Sequence, residues 1–216
     1  MKNILSVLSL ALILSCQKNE HQQNKNIPMA NASHQRKIRN DSAAASKNLS
    51  DVEGIKKEYA RLNSLLEFKN LDSSGFSYSC NDEITGDVVF YYEKGALRSV
   101  KHFYAEHSHF SSSEQYFIHN NQVFFIFQQD ASWNFDGGTP EHPITKDDIT
   151  EKRIYLNGNT PLLCLEKQYS IRSEGSRNPD PNSVSNQEVP CNIKDLMSTY
   201  QSIMRHEKEK KEIGCL

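Results

Sequence analysis

The sequence predicts an α+β domain, an antiparallel β-meander of about six strands flanked by an N-terminal and a C-terminal amphipathic helix. Two apolar series with spacings of three and four bracket the folded part, over residues 52–65 and 193–204. Between them lie segments rich in aromatic and β-branched residues, separated by short turns of Asn, Lys and Gly, which is how hairpins read in a sequence. Together these segments have the length of one domain, placed at 49–211 with a short tail at 212–216.

The first helix opens at Ser50, with Glu53 three residues on as a capping box, and carries Val52, Ile55, Tyr59, Leu62 and Leu65 on one face. Three hairpins follow, turning at Lys94 and Gly95, at Asn120 and Asn121, and at Asn157 and Gly158. On the strand after the second turn, Val123, Phe125 and Phe127 point one way while Phe124 and Ile126 point the other. Both faces are apolar, so the helices are expected over one face and a second cover, such as a dimer partner, over the other. Residues 130–151 read as a long connection, and the polar, Pro-rich stretch 173–190 as a linker. The last helix carries Ile193, Leu196, Met197, Tyr200, Ile203 and Met204, with Asn192 as its cap.

Ahead of the domain, Lys2 and the apolar residues 4–14 have the form of an export signal, covering 1–15. The run is shorter than the roughly 20 apolar residues that a spanning helix needs. Ile13, Leu14, Ser15 and Cys16 resemble the lipobox of bacterial lipoproteins, which implies acyl chains such as palmitate on Cys16 and a lasting membrane anchor. Gln17, Lys18, Asn19 and Glu20 resemble the surface-export signal of Bacteroidota lipoproteins. The pieces "EQYFIHNNQVFFIF", "EKRIYLNGN" and "CLEK" resemble uncharacterised lipoproteins of the same group over about 80–173, a likeness that implies architecture without a known activity. The protein is therefore expected at the outer membrane, lipid-anchored, facing the periplasm or the cell surface. Residues 16–48 are Asn, Gln, Lys, Ser and Ala with scattered hydrophobes, a composition unable to offset the entropy of ordering, and read as a flexible tether.

A formal charge of −2 offers no basic face to a nucleic acid. Cys80, Cys164, Cys191 and Cys215 stand in an oxidising compartment and allow three pairings. Joining Cys191 to Cys215 is disfavoured, because a helix between them would hold them roughly 27 Å apart at ~1.5 Å per residue. One bridge among Cys80, Cys164 and Cys191 is expected, with Cys215 mobile. No C-x-x-C spacing points to zinc.

Glu106, His107 and His109 are the candidate metal ligands, since residues two apart on a strand point the same way, with His102, His119 and His142 as possible completing ligands. The bland alternative is a set of solvated histidines in a serine-rich hairpin loop. Trp133, Phe135 and Asp136 form a candidate ligand platform in the 130–151 connection, against the alternative of a Trp folded over an open end of the sheet. Asp136, Asp147 and Asp148 lack the alternation of a calcium loop. Neither a nucleophile elbow nor a phosphate-binding glycine pattern is present, and no cofactor is implied. The expected function is a non-enzymatic binding module at the cell envelope with a protein or glycan partner. The alternatives are an immunity or inhibitor protein, and a metal-dependent hydrolase built on Glu106, His107 and His109.

Overall fold

A computed structural model describes residues 49–174 and 178–216; the expected signal, Cys16 and the tether lie outside them. Helix α1 spans Val52–Glu67 and is followed by strands β1 (Asp72–Cys80), β2 (Ile84–Glu93), β3 (Ala96–Glu106), β4 (Phe110–His119), β5 (Gln122–Thr139), β6 (His142–Asn157) and β7 (Thr160–Arg172). A single 3-10 turn at Pro181–Ser183, the two-residue strand β8 (Gln187–Glu188) and helix α2 (Lys194–Arg205) complete the described elements. The strands pair antiparallel in strict chain order, β1 to β8, in one sheet.

The meander stands, with eight strands in place of six. β2 to β7 are the strands the turns predicted, while β1 escaped because "DSSGFSYSC" is mostly Ser and Gly, residues poor in strand propensity. Two residues of β8 are too few to carry a pattern. The 130–151 connection is likewise corrected: β5 and β6 run on as paired strands as far as Thr139 and His142, so Trp133 lies in a ladder and not in a loop. Only from Trp133 to Thr145 does the pair run without a third strand beside it, and most side chains there are exposed.

Helix α1 is capped one residue later than expected, by the Asp51 side chain accepting from Gly54 N at 2.7 Å. Ile55 and Leu62 bury completely against Phe117, Phe125 and Tyr155. Helix α2 lacks a side-chain cap bond at Ile193 and buries Leu196 and Ile203 against Phe90, Val100, Tyr116, Ile126 and Ile154. Tyr116 and Phe117, or Ile154 and Tyr155, are neighbours in the chain yet belong to different clusters, so the helices cover opposite faces of the sheet. This corrects the expected arrangement, and α1 is the second cover that the apolar central strand required. A bulge between Phe117 and Ile118 shifts the β4–β5 register, placing Phe124 with Phe125 on the α1 face and Val123 with Ile126 on the α2 face.

Cys164 is bridged to Cys191, and Cys80 to Cys215, the latter closing a sequence separation of 135 residues. The expectation of a mobile Cys215 is thereby overturned. Helix α2 ends at Arg205, and the chain turns back along β1, where Ile213 N donates to Ser77 O at 3.0 Å and accepts through its carbonyl from Ser79 N at 3.2 Å. Residues 212–216, read as a tail, thus belong to the packed domain, with Ile213 and Leu216 against the core. Among the described residues no helix is long and apolar enough to cross a membrane.

Candidate functional site

The first four strands align a set of polar side chains within the α2 face. His102 on β3 stands directly opposite Glu114 on β4. Tyr78 on β1 pairs with Gly86 on β2, which pairs in turn with Tyr104 on β3. A Cβ on Gly86 would stand 2.4 Å from Tyr78 Cε1, so the glycine leaves the space that the tyrosine ring occupies.

The hydroxyl of Tyr78 lies 2.9 Å from His102 Nε2, and His102 Nδ1 lies 3.2 Å from Glu114 Oε2. Tyr116 donates its hydroxyl to that same carboxylate oxygen at 2.6 Å and also lies 3.0 Å from the Leu196 carbonyl of α2. His102 and Glu114 are 2% and 4% exposed. Burial drives the Tyr116 phenol far above its ordinary pKa, with the Glu114 carboxylate adding to the effect. The Tyr104 ring stacks on His102 at 5.1 Å between centroids and 20° between planes. Both imidazole nitrogens are therefore engaged and the ring is held by its neighbours.

This chain of groups ends at a solvent-open cavity of about 230 Å³. Tyr78, His102, Tyr104, Glu106 and Glu114 line it, together with Thr199 of α2, Leu216 and the Cys80–Cys215 bridge. His102, Tyr104 and Glu106 alternate along β3 and so point to one face, stepping from the core to the edge. The Tyr78 and Tyr104 phenols are both raised, by burial first and then by surrounding acidic groups, Glu114 and Glu106 among them.

The other face carries a second buried ionic group. Glu151 accepts from Arg153 at 2.8 Å and from the Tyr169 hydroxyl at 2.7 Å, and Lys167 Nζ lies 3.2 Å away. Lys167 also donates to the Pro181 carbonyl at 2.6 Å, and Arg153 to Asn186 at 3.1 Å, so the segment before α2 closes over it. Burial alone would raise the Glu151 carboxyl, but hydrogen bonds from Tyr169, Arg153 and Lys167 outweigh it and hold the group below its ordinary pKa.

Of the predicted metal trio only Glu106 lines the cavity. His107 occupies the β3–β4 turn with a positive φ of 51°, and His109 packs tilted against Trp133, with ring centroids 4.2 Å apart. The turn breaks the strand alternation on which the shared-metal reading relied. Among the described residues no group of three or more His, Cys, Asp or Glu could hold a metal ion. Trp133 donates its indole N–H to the Ser108 carbonyl, which fastens the β3–β4 turn to β5. Phe135 meets Trp133 edge-on and is 69% exposed, while Asp136 accepts from Arg172. These three residues hold the end of the β5–β6 ribbon and lie outside the cavity.

Tyr78, Tyr104 and Glu114 were missed as site residues, and His102 was considered only as a distant metal ligand. A usable signal was present: a turn centred on Ser108 sets His102 against Glu114, since each lies six residues from it. No protein-family model, curated protein or solved structure matches this chain.

Proposed function

We propose that this chain is a cell-envelope lipoprotein of the Bacteroidota type, anchored at the outer membrane by acyl chains on Cys16, whose domain is a non-enzymatic binding module. The cavity between β1–β4, α2 and the Cys80–Cys215 bridge is its ligand site. What supports a binding role is that a buried, hydrogen-bonded set of side chains, Tyr78, His102, Glu114 and Tyr116, ends at a cavity open to solvent. Such a set is ordered before a ligand arrives, so little entropy is lost on binding. The metal-dependent hydrolase built on Glu106, His107 and His109 has less support, because His107 sits in the β3–β4 turn and His109 packs on Trp133, so neither joins Glu106 in lining the cavity.

Amide chemical shifts of the full chain, titrated with a small-molecule fragment collection, test the site. Hits are expected to move the amides of Tyr78, Tyr104 and Glu106, and hits that cluster elsewhere would move the site. The anchor has its own test: Cys16→Ser is expected to abolish palmitate labelling and to release the protein from the membrane fraction. Retention of Cys16→Ser in the outer membrane would remove the lipoprotein reading.

A second surface, the exposed Phe135 with Trp133 behind it, supports docking of a protein or glycan partner. Crosslinking on intact cells with Phe135→Ser tests it, with loss of a wild-type adduct expected.

A further inference from the structure

The cavity is acidic and aromatic at once. Its lining holds two carboxylates, Glu106 and Glu114, the rings of Tyr78, His102 and Tyr104, and no lysine or arginine. Glu114 is matched internally, since it accepts from Tyr116 and faces His102. Glu106 differs. It is half-buried at the end of β3, and among the described residues its carboxylate has neither a hydrogen bond nor an ion pair.

Other partly buried carboxylates in the domain have partners, cations in some cases and neutral donors at Asp130 and Glu207. Glu93 meets Arg61 at 2.7 Å and Arg98 at 3.1 Å, and Glu151 meets Arg153 and Lys167. An uncompensated carboxylate on a cavity wall, next to ring faces, is a standing counter-charge for a ligand cation. Aromatic faces attract such cations, more strongly as water is excluded. The cavity, at about 230 Å³, is below the ~300–1,000 Å³ of pockets that enclose whole ligands, so it fits one group of a larger molecule. Ile84, Leu216 and the disulfide supply apolar wall for a short hydrocarbon stem.

We infer that the cavity takes a protonated amine on a short alkyl stem, with Glu106 as counter-charge and Tyr78 and Tyr104 as its ring walls. This rests on the cavity being the ligand site, and the test separates the two. The full chain in nonionic detergent, labelled with nitrogen-15, is titrated in parallel with n-butylammonium, 1-butanol and butyrate at constant ionic strength. The expected result is saturable shifts at Tyr78, Tyr104 and Glu106, with butylammonium binding about tenfold or more tighter than butanol, a difference of ~1.4 kcal/mol. Glu106→Gln is expected to remove most of that advantage while its spectrum stays folded. Butanol binding at the same place as tightly, butyrate binding preferentially, or an amine affinity indifferent to Glu106→Gln would overturn the amine assignment and leave the cavity as a ligand site. If none of the three probes moves those amides, both the assignment and the site are lost.

Discussion

The two faces of the sheet each bury a group of charges, and they treat them differently. On the α1 face, Glu151 is met by Arg153, Lys167 and Tyr169, and the segment running from Pro181 to Asn186 supplies further partners. The one carboxylate there meets two cations, and a chain segment covers the group. On the α2 face, Glu114 is satisfied by neutral Tyr116 and by His102, and the group continues through Tyr104 and Glu106 into open space. A buried ionic group closed on all sides contributes order and little else, because the desolvation of its ions offsets most of their attraction. A group satisfied on the core side and unsatisfied on the solvent side is arranged to meet something outside the chain. The contrast is why the α2 face, and not the more heavily charged α1 face, is the candidate site.

The largest effect is expected at the disulfide that lines the open side. Replacing Cys80 and Cys215 by Ser releases a constraint across a sequence separation of 135 residues, which is worth about 5 kcal/mol in the chain-entropy account. Denaturant unfolding measures the loss, and hydrogen exchange should show the amides of Ser79 and Ile213 losing protection together. If those amides stay protected, the ladder between them holds the segment without the bridge.

Lys167→Ala tests the closed side, where Glu151 keeps Arg153 and Tyr169 but loses its second cation and the Pro181 carbonyl loses its donor, at a cost of about 2–3 kcal/mol. The same group sets an acid limit. Because the Glu151 carboxyl stands below its ordinary value of 4.5 in the folded chain, the unfolded chain binds the proton more tightly. Its contribution to stability is complete above that value and is lost as pH falls through the lower, folded value. Glu151→Gln is therefore expected to flatten the fall in stability below about pH 4.5, read from unfolding curves over a pH series.

A smaller cost, about 1–2 kcal/mol, is expected for Glu114→Gln, which keeps the shape but weakens the acceptor shared by Tyr116 and His102. Comparing its urea midpoint with that of Lys167→Ala ranks the two faces directly. The smallest change belongs to Glu106→Gln, within about 0.5 kcal/mol of wild type, because the carboxylate has no partner to lose. A large destabilisation there would mean that Glu106 is compensated after all, and the contrast between the faces would fail.

The elements that local chemistry controls were legible in the chain. Helix spacing located α1 and α2, and the Lys-Gly, Asn-Asn and Asn-Gly turns located three of the hairpins. β1 was not legible, because only Phe76 and Tyr78 interrupt its serines and its pairing with β2 holds it in place. The site was half legible: Glu106 stood out beside His107 and His109, but those histidines belong to a turn, and the residues that join Glu106 come from other strands.

By itself the sequence determined where strands begin and turn, which segments are amphipathic, and that the second hairpin needs cover on both faces. These follow from side chains acting on their own backbone and on neighbours three or four residues away. Only the tertiary structure decided that α1 and α2 take opposite faces, that a bulge sends Phe124 and Phe125 to one side, and that Cys80 joins Cys215. Register across strands and the path of the chain after α2 make those choices. A one-residue shift would turn His102 and Glu106 to the opposite face, so the cavity exists only in the assembled sheet.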